Sequence, residues 1–188
     1  MQKKVFFITS NPNKARECKN ILSFFSIYVE IIKLQISEIQ SDTLEEIARF
    51  SSLEAVKMCK KPVLVEDSGL FINILNGFPG PYSSYIQNKI GNYGILKLMK
   101  GIKNRRAIFK SVIGFCSPKR SHQVFVGEVH GSISHEERGK EWAFDPIFIP
   151  DFSDKTYAQM SAEKKNEISH RRRALEKFAI WFNKKQNG

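Results

Sequence analysis

The run Val5-Phe6-Phe7-Ile8, followed by Thr9-Ser10-Asn11-Pro12-Asn13-Lys14, decides the fold class. Four consecutive β-branched or aromatic residues suit a buried strand, and the polar segment behind them stops it. The pattern that follows predicts a helix over 15–25 and a second strand over 28–33. A strand, a helix and a strand in that order are the opening of an α/β fold.

Outward from this opening, Leu44, Ile47, Ala48, Ala55, Met58 and Cys59 recur at helical spacing over 43–60. Asp42 or Thr43 serves as N-cap, and Pro62 marks the stop. Val63-Leu64-Val65 reads as a short central strand that delivers Glu66-Asp67-Ser68-Gly69 at its end, with strand resuming over 70–75. The segment Asn76-Gly77-Phe78-Pro79-Gly80-Pro81 is dense in turn formers and predicts a rigid loop. A short helix is expected over 92–100. Two β-rich runs, 107–116 and 123–134, flank Ser117-Pro118-Lys119-Arg120-Ser121 and read as a long hairpin able to carry a lobe. An aromatic loop, Trp142-Ala143-Phe144-Asp145-Pro146, leads into an extended piece over 147–150. The last helix is expected over 162–183, capped by Ser161. No repeat or linker interrupts the chain, so residues 1–188 are expected to form a single domain.

The formal net charge of +11 calls for a polyanionic partner, nucleic acid or a small polyphosphate, or else describes a solvated basic surface. Cys18, Cys59 and Cys116 are too few and too scattered for a disulfide framework or a CxxC metal site, which predicts free thiols in a reducing compartment. The apolar run near the N-terminus is too short for a signal peptide or a membrane span, so the expected location is the cytoplasm, away from any membrane.

Four places have the residue types that chemistry needs. Glu66 and Asp67 follow an apolar strand, where ligands gather in open α/β sheets, and hard Mg²⁺ takes such carboxylates. Equally, acids at strand ends cap turns. The loop ending in Lys14 brings backbone N–H groups and an ammonium to the start of a helix, an arrangement that attracts phosphate, although it lacks the Walker A pattern. In the last helix Arg171 projects into the apolar stripe of Ile168, Leu175, Phe178, Ala179 and Phe182, and therefore needs a carboxylate or a ligand. His170 lies on the far side of an unbroken helix and joins Arg171 at a ligand only if the helix begins or bends there. Trp142 and Phe144 flank Asp145; they are either core rings or a stacking surface for a base whose edge the carboxylate reads.

In order and spacing, these segments resemble the inosine/xanthosine triphosphate pyrophosphatase family along almost the whole chain. The residues that carry the likeness are Thr9-Ser10-Asn11-Pro12-Asn13-Lys14, Glu38-Ile39-Gln40, Val65-Glu66-Asp67-Ser68-Gly69-Leu70, Gly77-Phe78-Pro79-Gly80-Pro81-Tyr82-Ser83, Phe144-Asp145-Pro146-Ile147-Phe148 and Lys165-Asn166-Glu167-Ile168-Ser169-His170-Arg171. The resemblance implies an elongated central mixed β-sheet with flanking helices and a second lobe, a nucleotide cleft between the lobes, and a homodimer. It implies Mg²⁺-dependent hydrolysis of ITP, dITP and XTP to the monophosphate and pyrophosphate. Glu38 and Asp67 would bind Mg²⁺, and Asp67 would activate water. The Thr9 to Lys14 loop (Thr9, Ser10, Asn11, Pro12, Asn13, Lys14) would hold the triphosphate. Ser68, Lys165, His170 and Arg171 would contact the nucleotide, and Trp142, Ala143, Phe144 and Asp145 would hold the base.

Two positions depart from the family pattern. Members commonly carry Phe-Gly-Tyr-Asp where this chain has Trp142-Ala143-Phe144-Asp145, and Ser84-Tyr85 stand where a basic residue often follows the Pro-Gly turn. Two other functions compete: a pyrophosphatase of broader nucleotide preference, and a basic nucleic-acid-binding α/β module suggested by Lys103-Asn104-Arg105-Arg106 and Arg171-Arg172-Arg173. Nucleic acid is not the expected partner, since no helix-turn-helix, ribonucleoprotein signature or zinc-ligand spacing is present.

Overall fold

The computed structural model describes residues 3–37, 39–118 and 120–186. The opening is β-α-β as expected: β1 (Lys3–Ile8), α1 (Pro12–Ser23) and β2 (Ile27–Ile32), with β1 and β2 parallel and Val5 opposite Val29. Helix α1 starts earlier than the apolar spacing indicates. Asn11 caps it by accepting from the backbone N–H groups of Asn13 and Lys14, and Pro12 supplies a preset φ in the first turn. Pro12, Asn13 and Lys14 are therefore helical rather than loop residues. Helix α2 (Leu44–Cys59) is capped by the Thr43 side chain and ends on Lys60 in a left-handed conformation.

Strand β3 (Val63–Ile72) corrects the expectation of a strand, a turn and a second strand, because Glu66, Asp67, Ser68 and Gly69 lie within one continuous strand. Gly69 makes this possible, since a Cβ there would fall 2.3 Å from the Gly80 carbonyl oxygen. The Ser83 hydroxyl accepts from the Leu70 N–H at 2.8 Å and donates to the Gly80 carbonyl at 2.7 Å, fixing the turn-rich loop against the strand. Residues 73–75, expected as strand, form a 3-10 turn. Helix α3 (Ser83–Lys89) was not expected; α4 (Gly91–Leu98), β4 (Arg106–Ser117) and β5 (Arg120–Ile133) were, within a few residues. Strand β6 (Phe148–Pro150) pairs antiparallel with β5.

The expected single C-terminal helix is two, α5 (Ala162–Ile168) and α6 (His170–Gln186). Ser161 caps α5 as predicted, and Ser169 between the helices is extended, at φ −69° and ψ 160°. Serine competes with helical hydrogen bonding and favours such boundary positions.

The six strands form one open, mixed sheet in the order β2-β1-β3-β4-β5-β6, with β1 parallel to both β2 and β3. Helices flank the sheet in an α/β fold. The chain divides into two compact units, the first made of residues 1–67, 111–127 and 171–188, the second of 68–110 and 128–170. In the first unit Val5, Phe7, Ile21, Leu22, Ile113, Phe115, Leu175 and Phe178 form the core. The second has its own core, built on Leu70, Ile72, Ile95, Phe109, Phe144, Phe148 and Tyr157. Among the described residues no helix is long and apolar enough to cross a membrane.

Candidate active site

In the first unit Arg171, in the first turn of α6, is buried to 1 % exposure. Its Nη1 donates to Glu17 Oε2, while Nε donates to Glu66 Oε1 at 3.2 Å and Nη2 pairs with the same oxygen at 3.2 Å. Glu66 also accepts from Ser111 Oγ at 2.7 Å, and its other carboxylate oxygen lies 2.9 Å from Lys14 Nζ. Lys14 Nζ donates further to the Glu66 carbonyl at 2.9 Å. Two carboxylates thus meet one guanidinium and one ammonium, and the charges balance where water is excluded. Burial alone would raise the Glu66 carboxyl, but Arg171 and then Lys14 outweigh it and hold the group below the ordinary carboxylate range. Burial pushes the neighbouring Cys18 thiol up, with the Glu66 charge adding to the effect.

Successive side chains of a strand point to opposite faces, so Asp67 projects away from the face on which Glu66 is tethered. Asp67 is half-buried. Thr9 Oγ1 accepts from the Asn11 N–H at 3.1 Å, shaping the turn into α1, and Ser10 is exposed. No acidic residue occupies the first turn of α1, whose N–H groups at Asn13 and Lys14 are met by the neutral Asn11 cap. Glu38 lies outside the described residues.

In the second unit Lys165 on α5 donates to Asp145, both side chains being buried. The ammonium also sits over the Trp142 ring, 5.4 Å from its centroid, and the Tyr157 ring at 5.9 Å. His170, at the start of α6, stacks on Phe109 with ring centroids 4.3 Å apart and planes 4° from parallel. Tyr157 borders that pair too, 6.3 Å from His170, and so neighbours both Lys165 and His170. Phe144 belongs to the core, whereas Trp142 is half-buried. Ala143 takes a left-handed φ of 55°, the conformation for which the glycine common at this position in the family is suited. Ser68 is half-buried on β3.

The fold thus joins Lys14 to Arg171 through Glu66, and Trp142, Asp145, Lys165 and His170 around Tyr157. Sequence patterning missed four partners: Glu17, Ser111, Phe109 and Tyr157. Glu17 had a readable signal, because it falls in the buried stripe of α1 with Cys18, Ile21 and Leu22, where a carboxylate must answer a cation. The other three have no local signal; only the pairing of distant strands and helices brings them in.

The structure is an open α/β sheet with a capped helix N-terminus, a lysine paired with a buried glutamate and a half-buried aspartate on a central strand. The chain belongs to the Ham1 family, whose pattern it matches over residues 5–181. It is 51% identical over 180 residues to a dITP/XTP pyrophosphatase of Methanopyrus kandleri, covering 95% of this chain and 96% of that one. A dITP/XTP pyrophosphatase of Pyrococcus horikoshii is 49% identical with the same coverage, 95% and 96%. Among solved structures, the Ham1 protein of Staphylococcus aureus superposes with a TM-score of 0.85 at 32% identity, over 97% of this chain and 100% of that one.

Proposed function

We propose that the protein hydrolyses the α–β phosphoanhydride of deaminated purine nucleoside triphosphates, ITP, dITP and XTP, to the nucleoside monophosphate and pyrophosphate. The observation that carries this reading is Asp67, half-buried on β3 and turned away from the tethered Glu66, in a chain 51% identical to a relative named for that activity. With Glu66 spent on Arg171, Lys14 and Ser111, Asp67 is the carboxylate of the pair suited to chemistry.

Mg²⁺ is the cofactor in this reading, with Glu38 and Asp67 as its carboxylates. The hard oxygen donors and partly open position of Asp67 suit a cation that keeps several waters. When bound, the cation stabilises developing charge and makes a coordinated water easier to deprotonate. Asp67 accepts the proton of the attacking water. Thr9, Ser10, Asn11, Pro12, Asn13 and Lys14 hold the triphosphate, supported by the N-terminus of α1, whose first turn contains no acidic side chain. Ser68, Lys165, His170 and Arg171 contact the nucleotide. Trp142, Ala143, Phe144 and Asp145 serve the base: Trp142 offers a ring face, Phe144 anchors the loop from the core, and Asp145 holds Lys165. A 6-oxo group satisfies donors from His170 and Arg171 that a 6-amino group leaves unpaired, worth about 1–3 kcal/mol per buried group.

Pyrophosphate release from ITP, XTP, GTP, ATP and dTTP, with and without Mg²⁺, tests the proposal. Turnover is expected to need Mg²⁺ and to be fastest on ITP or XTP, with Asp67→Asn folded but slower by roughly a thousandfold. Equal rates on ATP sink the base preference, and near-normal turnover in Asp67→Asn removes Asp67 from the chemistry.

In the same reading residues 1–188 act as one cytoplasmic catalytic domain that pairs into a homodimer. Tyr85 and Tyr93, 61% and 73% exposed on α3 and α4 beside Ile90, support a protein contact there. Sedimentation equilibrium is expected to give twice the chain mass, and Tyr85→Glu to reduce it; a monomer at micromolar concentration contradicts the pairing.

A further inference from the structure

A basic motif outside the site described above remains unexplained. Lys103, Arg105, Arg106 and Arg138 line an open pocket of about 440 Å³ in the second unit, together with Ser134 and His135. None of the lining residues is acidic. Arg105 is pinned by three bonds, Nε to the Ile133 carbonyl at 2.7 Å, Nη1 to the Met99 carbonyl at 2.7 Å and Nη2 to the Ser134 carbonyl at 2.6 Å. All three acceptors are neutral, so they fix the guanidinium in place without cancelling its charge. Burial lowers the Arg105 guanidinium from its ordinary value, as expected for a cation short of water and of counter-charge, yet arginine stays protonated.

The neighbours divide into offset and unoffset charges. Arg106 is met by Asp151 through bonds of 2.6 and 2.9 Å, and Arg138 by Glu136 at 3.4 Å. Lys103 is exposed and, among the described residues, has no ion-pair partner. The pocket therefore keeps the charges of Lys103 and Arg105, one mobile and one rigid, with Arg106 and Arg138 able to turn a donor inward. A preset guanidinium loses little entropy on meeting a phosphate oxygen.

We propose that this pocket binds a small phosphate-bearing anion of the inorganic diphosphate or triphosphate class. Four cations gathered around one open depression favour a compact anion; a nucleic-acid backbone is met by a stripe of cations spread along a surface. Backbone hydrogen bonds also join the pocket to the aromatic loop. The Ser134 N–H donates to the Ile147 carbonyl at 2.8 Å and the Arg138 N–H to the Pro146 carbonyl at 2.9 Å, closing a loop that carries Trp142 to Asp145. An anion held by Arg138 thus tightens the base of that loop. None of this depends on the reaction proposed above.

The test is calorimetric titration of the full chain with sodium pyrophosphate, without divalent cations, and hydrogen exchange with and without the anion. Lys103→Glu and Arg138→Gln are each expected to weaken a pyrophosphate site roughly tenfold. The charge reversal Lys184→Glu, in the first unit, is expected to leave that site unchanged, and exchange is expected to slow across 134–147. Arg105→Lys is not the deciding variant, because the three carbonyl bonds also hold the fold. Unchanged pyrophosphate binding in both pocket variants overturns the proposal, as does protection confined to residues 9–14. Duplex DNA binding that falls in Lys103→Glu, with no pyrophosphate binding at all, replaces the small anion by nucleic acid.

Discussion

Arg171 keeps its charge inside the first unit because Glu17 and Glu66 meet it there. Replacing it with methionine fills much of the volume but leaves two buried carboxylates without a guanidinium. Arg171→Met is therefore expected to cost about 3–5 kcal/mol in denaturant unfolding. Arg171→Lys is expected to recover only part, since an ammonium lacks the planar fork that reaches two carboxylates. A loss under about 1 kcal/mol would put this cluster in the class of exposed pairs. The inward aim of Arg171 was legible from its place in an apolar stripe. Its partner was not, because Glu17 lies 154 positions away and no periodicity links them. Likewise the stacking of Phe109 on His170 depends on β4 passing the start of α6, and a lone Phe in a strand pattern announces nothing of the kind.

At the scale of elements, local propensity erred where tertiary packing overrode it. Asp67, Ser68 and Gly69 are turn formers, yet β3 runs straight through them because it lies between β1 and β4 in the sheet. Gly69 is the position on which that continuity turns. Gly69→Ala sets a methyl 2.3 Å from the Gly80 carbonyl, backbone that cannot swing aside as a side chain would. The expected cost is about 1–3 kcal/mol, read from the thermal midpoint and calorimetric enthalpy. Wild-type stability in that variant would mean that the loop around Gly80 yields freely. The C-terminal region shows the opposite error: a continuous apolar stripe hides the break at Ser169, although the serine itself is a boundary residue. That break puts His170 and Arg171 at the head of a helix, where both side chains find ordered partners.

For the whole molecule, the α/β class and most strands were readable from runs and alternation, since each compact unit buries its own apolar residues. The division at residues 67/68, 110/111, 127/128 and 170/171 was not readable, because it falls within β3, β4 and β5 and at α6 rather than in linkers. Stability against pH follows from the buried charge cluster. Glu66 is held below the ordinary glutamate value, so its contribution is complete above the unfolded value of about 4.3 and is lost as pH falls through the lower folded value. Arg171 stays protonated throughout. The melting temperature is thus expected to drop on acidification below about pH 4, and to drop less in Arg171→Met. A melting temperature that rises as the solution is acidified below that point contradicts the sign.

The pleat of β3 makes position in the chain and chemical role a single variable. Losing one residue between Val63 and Glu66 would hand Asp67 to Lys14 and Arg171 and turn Glu66 to the other face. In the proposed reading, such a deletion exchanges anchor for reactant, which makes strand length, and not only residue identity, a condition of activity.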